Sequence, residues 1–245
     1  MPKQAEHDTA PSIIDFEGQW RVVSIDGETL PANLRDGKPP QLSLARTSIG
    51  GNLGCNSFGA LSLYVDGRIA AHSWSSTAMY CGDISEQEQA LSGLLFGHPT
   101  VTKEGNELRI HTSDHEVILA DRSVLGPFSP DPAPQTIAAT RWRINFIDQK
   151  EASSSPQDRI LEFTTTGWRG LASCATLFGT FKRSDDRLII ADEIGTTEQN
   201  CRADHASLDD RFAALMRSDP HYLVGQNGEL IIMGGGHVLT GGRAE

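Results

Sequence analysis

Four cysteines and eight histidines carry most of the chemical potential of this 245-residue sequence. The cysteines form two pairs, Cys55 with Cys81 and Cys174 with Cys201, at intervals of 26 and 27 residues. An even count at matched spacing is what one disulfide per pair leaves in a sequence. Each bridge would close a loop of about 27 residues and add roughly 3 kcal/mol by chain entropy. Such bridges persist in oxidising compartments. The alternatives are two pairs of buried reduced thiols packed as small hydrophobes, and a metal or catalytic role. A nucleophilic Cys55 or Cys174 needs a nearby base to form thiolate. The candidate bases are His7, His72, His98, His111, His115, His205, His221 and His237. The cysteines repeat along the chain, whereas His72 and His205 have no counterpart. Cys201-x-x-x-His205 has the spacing of two ligands on one helical face. Structural zinc takes four ligands, and the first copy has Ser85 at the corresponding place.

The elements around the cysteines are written twice. Leu53-Gly54-Cys55-Asn56-Ser57-Phe58-Gly59 returns as Ala172-Ser173-Cys174-Ala175-Thr176-Leu177-Phe178-Gly179. Trp20 is echoed by Trp142, Thr77 by Thr197, Cys81 by Cys201 and Leu108 by Leu230, at offsets of 120 to 122 residues. A period of that size is too long for a solenoid unit and fits a duplicated domain. The expected layout is a flexible N-terminal tail over 1–15, a first domain over 16–121, a Pro-rich linker over 122–137 and a second domain over 138–245. Pro127, Pro130, Pro132 and Pro134 make that linker stiff.

Net charge is −11, with 38% hydrophobic and 22% charged residues. No basic run is present, which argues against non-specific nucleic-acid binding and against anionic lipid. No apolar run reaches the roughly 20 residues of a membrane span. Met1 to Ser12 lacks the basic start and apolar core of a secretory signal. That reads as cytoplasmic, but a mature form with its signal removed would look the same.

Within each copy, short alternating runs predict strands, beginning at Trp20–Ile25 and Trp142–Ile147. Glycines at 50, 51 and 54 predict a bulge or a close backbone approach, with positive φ at Gly54. Asp66-Gly67 and Asn227-Gly228 predict hairpins. Ser85-Glu86-Gln87-Glu88 fits a capping box, with Glu88 reaching back to Ser85. Ser207-Leu208-Asp209-Asp210 offers a second cap. Asn56 is expected to bond local backbone in a tight turn, and Thr77 and Thr197 to cap the loops that lead to Cys81 and Cys201. Trp20 and Trp142 read as core anchors. Trp74 and Trp168 lack counterparts, sit beside turns and are the candidates for exposed contacts. Gly234-Gly235-Gly236 reads as a flexible turn and not a phosphate loop. The expected fold class is α+β, with two tandem domains. Each is a curved antiparallel sheet, a partly open barrel, with one helix packed on it.

A leading Trp strand, then Gly-Cys-Asn with Phe-Gly behind it, then Thr-x-Met-x-Cys and a Glu-bearing helix resembles the META domain, the family of HslJ-like heat-shock proteins. The first copy carries Trp20, Gly54, Cys55, Asn56, Phe58, Gly59, Thr77, Met79, Cys81 and Glu88. The second keeps Trp142, Cys174, Phe178, Gly179, Thr197 and Cys201, with Ser173, Ala175 and Gln199 replacing Gly, Asn and Met. The resemblance implies a small α+β domain, often in envelope proteins tied to stress or drug tolerance. It implies no agreed enzymatic activity or ligand, and no cofactor or metal is expected. The functional expectation is a non-catalytic envelope or periplasmic protein with a binding or stress-tolerance role. Its partner would be a protein or a small apolar ligand. The competing expectation is a cytosolic thiol-based enzyme or redox sensor that uses the paired cysteines.

Overall fold

The computed structural model describes residues 13–34, 37–82, 84–123, 135–152, 159–184, 186–190, 193–197 and 203–244. The Pro-rich stretch 124–134 and Cys201 lie outside the described residues.

The first copy opens with one helical turn, α1 (Ile13–Phe16). It continues through β1 (Gly18–Ile25), β2 (Glu28–Thr29), β3 (Gln41–Leu44), β4 (Ser48–Asn52), β5 (Ser57–Val65) and β6 (Arg68–Ser76). Helix α2 (Ser85–Phe96) follows, then β7 (Thr100–Glu104), β8 (Glu107–His111) and β9 (Glu116–Ser123). The strands pair in the order β2-β1-β3-β4-β5-β6-β7-β8-β9, and β9 returns to pair with β1. The sheet therefore closes, with Val22 opposite Leu119 and Ile25 opposite Val117. Two register shifts in β1 mark the irregularities at which this strand bends to serve two neighbours.

The second copy repeats the plan with β10 (Thr140–Ile147), β11 (Lys150–Glu151), β12 (Ile160–Phe163), β13 (Gly167–Leu171), β14 (Thr176–Ser184), β15 (Arg187–Ile190) and β16 (Gly195–Thr196). Helix α3 (Ala203–Arg217), β17 (His221–Val224), β18 (Glu229–Gly234) and β19 (His237–Arg243) complete it. The order is β11-β10-β12-β13-β14-β15-β17-β18-β19, closed by β10 with β19. Here the long sixth strand of the first copy is split in two, since β15 and β16 both pair with β14.

Alternation fills each sheet from the inside. Trp20, Val22 and Ile25 on β1 are buried, as are Trp142, Ile144 and Ile147 on β10. One helix covers each sheet. Helix α2 packs on β1 and buries Leu91, Leu94 and Leu95. Helix α3 packs on β10, β18 and β19 and buries Phe212, Leu215 and Met216. Gly170 makes room for that helix, because a methyl there would stand 2.6 Å from the Phe212 ring.

Two sequence expectations, both at helix starts, are corrected. Helix α2 has Ile84 at its N-cap with no side-chain cap bond, so Ser85 and Glu88 do not form a capping box. Helix α3 starts at Ala203, which leaves Ser207 to Asp210 inside the helix and not at its cap. Gly235 and Gly236, both at positive φ, form a two-residue hairpin turn between Gly234 and His237. The strand that follows closes the second sheet.

Candidate functional site

The turn from β4 into β5 carries the first signature. Gly54 sits at φ 126°, where an L side chain is strained. A methyl there would also meet Leu34 at 2.9 Å. Asn52 fixes the turn by accepting the Gly54 N–H at 2.7 Å. The next residue, Cys55, is 4% exposed and disulfide-bonded to Cys81, with the two Cα atoms 5.9 Å apart. The bridge brings the segment after β6 against the turn.

Asn56 then ties three elements together. Its Oδ1 accepts from the Met79 N–H at 2.8 Å and from the Thr77 hydroxyl at 3.0 Å. Its Nδ2 donates to the Met79 carbonyl at 3.0 Å and to Glu88 Oε2 at 2.8 Å. Its backbone N–H donates to Glu88 Oε1 at 2.7 Å. A primary amide has two donors and two lone pairs, and all four are used. The Thr77 hydroxyl also accepts from the Ser57 N–H at 3.1 Å. Asn56 is therefore a long-range tie and not a local turn former, and Thr77 bonds across to β5 instead of capping its own loop. Glu88 misses the capping box because its carboxylate is taken by Asn56, where charge strengthens both bonds.

The second copy builds the same tie from different residues. Ala175 replaces Asn56 and removes the side-chain amide. Asp209 on α3 is buried, and its carboxylate accepts three backbone N–H groups directly. These are Ser173 at 3.2 Å, Cys174 at 3.2 Å and Ala175 at 2.9 Å. Asp209 is one methylene shorter than Glu88 and lies 121 residues after it. That offset is the available signal, although Ser207-Leu208-Asp209-Asp210 reads as a helix cap. Thr197 keeps its place, its hydroxyl accepting from the Thr176 N–H at 3.0 Å. The Cys174–Cys201 pair and the Cys201–His205 metal spacing both involve Cys201, which is outside the described residues.

Trp20 is 1% exposed and donates its indole N–H to the Phe16 carbonyl at 2.7 Å. Trp142 is fully buried, donates to the Thr140 hydroxyl at 2.6 Å and has the Arg243 guanidinium 4.6 Å above its ring. A methyl on Gly59 would meet only the Ile49 carbonyl oxygen, at an ordinary contact distance of 4.0 Å. Gly179 lies opposite Trp168 across the sheet, and a methyl there would stand 3.1 Å from the indole nitrogen. Trp168 is not an exposed contact residue. It is 3% exposed and meets Phe212 edge-to-face at 5.8 Å. Trp74 is half-buried.

A second repeated device carries residues the sequence reading left unmatched. Asp26, in the turn after β1, accepts from the Glu116 N–H at 2.8 Å and bonds His115 Nδ1 at 2.8 Å. In the second copy Asp148 accepts from the Val238 N–H at 2.9 Å and bonds His237 Nδ1 at 2.7 Å. Both Asp and His recur at an offset of 122. The arrangement clasps the first strand of each sheet to its last. It is not a free acid–base dyad in the first copy, because the other ring nitrogen of His115 faces Gly93 of α2.

Burial pushes the Asp26 carboxyl up, but the Glu116 N–H and His115 outweigh that and hold it below the usual carboxylate value. A depressed folded value gives stability that is present above the unfolded value of about 3.9 and lost as pH falls through the folded one. Both partners are about one-third exposed, so solvent limits the effect to about 1 kcal/mol or less. The stability advantage of wild type over Asp26→Asn should therefore shrink between about pH 5 and pH 3. Urea unfolding at several pH values checks this, and an advantage independent of pH would refute it.

Among the described residues no group of three or more His, Cys, Asp or Glu is placed to hold a metal ion, and no helix is long and apolar enough to cross a membrane. A groove of about 590 Å³ runs over β12, β13 and β14, lined by Glu162, Arg169, Phe178 and Glu193 among others. Glu162 and Arg169, cross-strand neighbours in its lining, pair at 2.7 Å, and Phe178 is 47% exposed.

No curated protein matches the sequence. Among solved structures, one NMR structure is 20% identical, covering 45% of this chain and 94% of its own, with a TM-score of 0.40. An NMR structure of a protein from Burkholderia xenovorans is 20% identical, covering 51% of this chain and all of its own, with a TM-score of 0.37. A DNA polymerase sliding clamp from Pseudomonas aeruginosa is 10% identical over 84% of this chain and 57% of its own, with a TM-score of 0.23. At these scores none of the three carries a functional argument. The sequence model of the META domain matches residues 14–124 and again 135–245. The chain therefore belongs to the META domain family and holds two tandem copies of that domain.

Proposed function

We propose that this is a non-catalytic META protein of an oxidising compartment, the periplasm or cell envelope, with a binding or stress-tolerance role. Its domains span 16–121 and 138–245, joined by the Pro-rich linker at 122–137. The observation that carries the reading is that the first copy's signature residues are one another's partners. Cys55 is bonded to Cys81, and Asn56 spends its whole amide on Thr77, Met79 and Glu88. A thiol nucleophile or redox sensor needs a free thiolate, whereas this sulfur is already oxidised. Those residues act as a lock that holds a loop. The groove over β12 to β14 lies in the size range of small-ligand sites, and Phe178 gives it an apolar wall for a small apolar ligand or a protein side chain. The net charge of −11 without a basic run sets nucleic acid aside as a partner.

Thiol titration of the unfolded, unreduced chain separates this reading from its competitor. The proposal expects no free thiol among the four cysteines. Four free thiols in protein recovered without added oxidant would replace it with the cytosolic thiol-based enzyme or sensor.

A further inference from the structure

The lock of the first copy displays one group that it does not use. Met79 is 60% exposed and its neighbour Tyr80 is 92% exposed. The Met79 backbone is held at both ends, its N–H by Asn56 Oδ1 and its carbonyl by Asn56 Nδ2. Two residues on, Cys81 is bonded to Cys55. A rigid backbone thus presents an apolar, polarizable thioether to water, where methionine usually fills gaps in a core. Met216 and Met233 do fill the core, at 0% and 3% exposure. Among the described residues, Met79 is the thioether that a dissolved oxidant can reach.

We propose that Met79 is a modification site whose sulfur takes one oxygen atom from a peroxide, with hydrogen peroxide as the simplest member of the class. A sulfur lone pair attacks one peroxide oxygen. The S–O bond forms as the O–O bond breaks, and the departing hydroxide takes the remaining proton and leaves as water. Sulfur is oxidised by two electrons and the peroxide is reduced by two. The product is a methionine sulfoxide, polar and reducible by the sulfoxide reductases. The change turns the exposed Met79–Tyr80 pair from an apolar tip into a polar one. Asn56 grips the backbone of Met79 and not its side chain, so the lock stays closed. The corresponding residue in the second copy is Gln199, which has no sulfur, so the device exists once per chain. This inference rests on exposure and backbone geometry, not on the proposed function.

The test treats the folded full chain with hydrogen peroxide and follows its peptides by mass spectrometry. The Met79 peptide should gain one oxygen at least about tenfold faster than the Met216 and Met233 peptides, in line with their exposures. The melting temperature should not change. Methionine sulfoxide reductases should remove the added mass, and Met79→Leu should abolish the fast uptake while leaving the circular dichroism spectrum unaltered. Oxidation of Met79 no faster than that of the two core methionines would overturn the proposal. A fall in melting temperature on oxidation would overturn the claim that the lock is indifferent to the sulfoxide.

Discussion

Replacing Asp209 with alanine is expected to destabilise the second META copy by about 3–5 kcal/mol, the cost of stranding several partly buried donors at once. The carboxylate is buried and satisfies the N–H groups of Ser173, Cys174 and Ala175 together. An unsatisfied buried donor costs about 1–3 kcal/mol. Water entering the turn relieves part of that, so the total falls below three independent losses. Asp209→Asn keeps the volume but replaces one acceptor oxygen with an NH₂ group that faces donors. It should recover little of the stability. Two domains need not unfold in one step, so the measurement is urea unfolding combined with hydrogen exchange resolved to residues 171–176. The amides of Ser173 to Ala175 should lose protection first. Wild-type stability in Asp209→Ala, with those amides still protected, would show that the carboxylate does not hold the turn.

Why Asp209 escaped the sequence reading says what the sequence makes legible. The repeat announces itself through Trp20 and Trp142, the cysteines and the two threonines, because those positions kept their residue types. The tie between helix and turn kept its chemistry and changed its residues. Glu88 accepts both the side-chain amide and the backbone N–H of Asn56, whereas with Ala175 in that place the shorter Asp209 accepts backbone N–H groups. Identity was lost at both ends of the contact, so only the offset remained as a clue. The capping box at Ser85 had the right letters, but a tertiary partner offered Glu88 stronger bonds than the helix end did. Strand β19 carries Gly241 and Gly242, residues that weaken a strand signal in sequence. In the structure Gly241 faces Arg143 so closely that a methyl would stand 2.5 Å from its carbonyl oxygen. Trp168 looked exposed beside its turn, yet strand alternation turns it inward onto Phe212.

Removing the first bridge by Cys55→Ser should destabilise the first copy by about 2–5 kcal/mol. The cross-link joins residues 26 apart in sequence, for which the loop-closure argument gives roughly 3 kcal/mol through the unfolded chain. A folded-state contribution adds to it, because the bridge holds Met79 where Asn56 can grip it. With the bridge cut, the Met79 amide, bonded to Asn56 Oδ1 at 2.8 Å, should exchange faster with solvent. Leu94 and Leu95 in the core of α2 should change only as far as global stability does. Cys81→Ser and the double variant should match the single one, because all three remove one and the same bond. Reductant should bring wild type to the same level and leave the first copy of each variant unmoved. The entropic share acts on the unfolded chain and the Asn56 ties act on the folded one. Asn56→Ala should therefore cost less in the Cys55→Ser background than in wild type, since a loosened loop has already weakened those ties. Equal melting temperatures for wild type with and without reductant would remove the bridge from this account. The Asn56–Glu88 network would then have to hold the loop unaided.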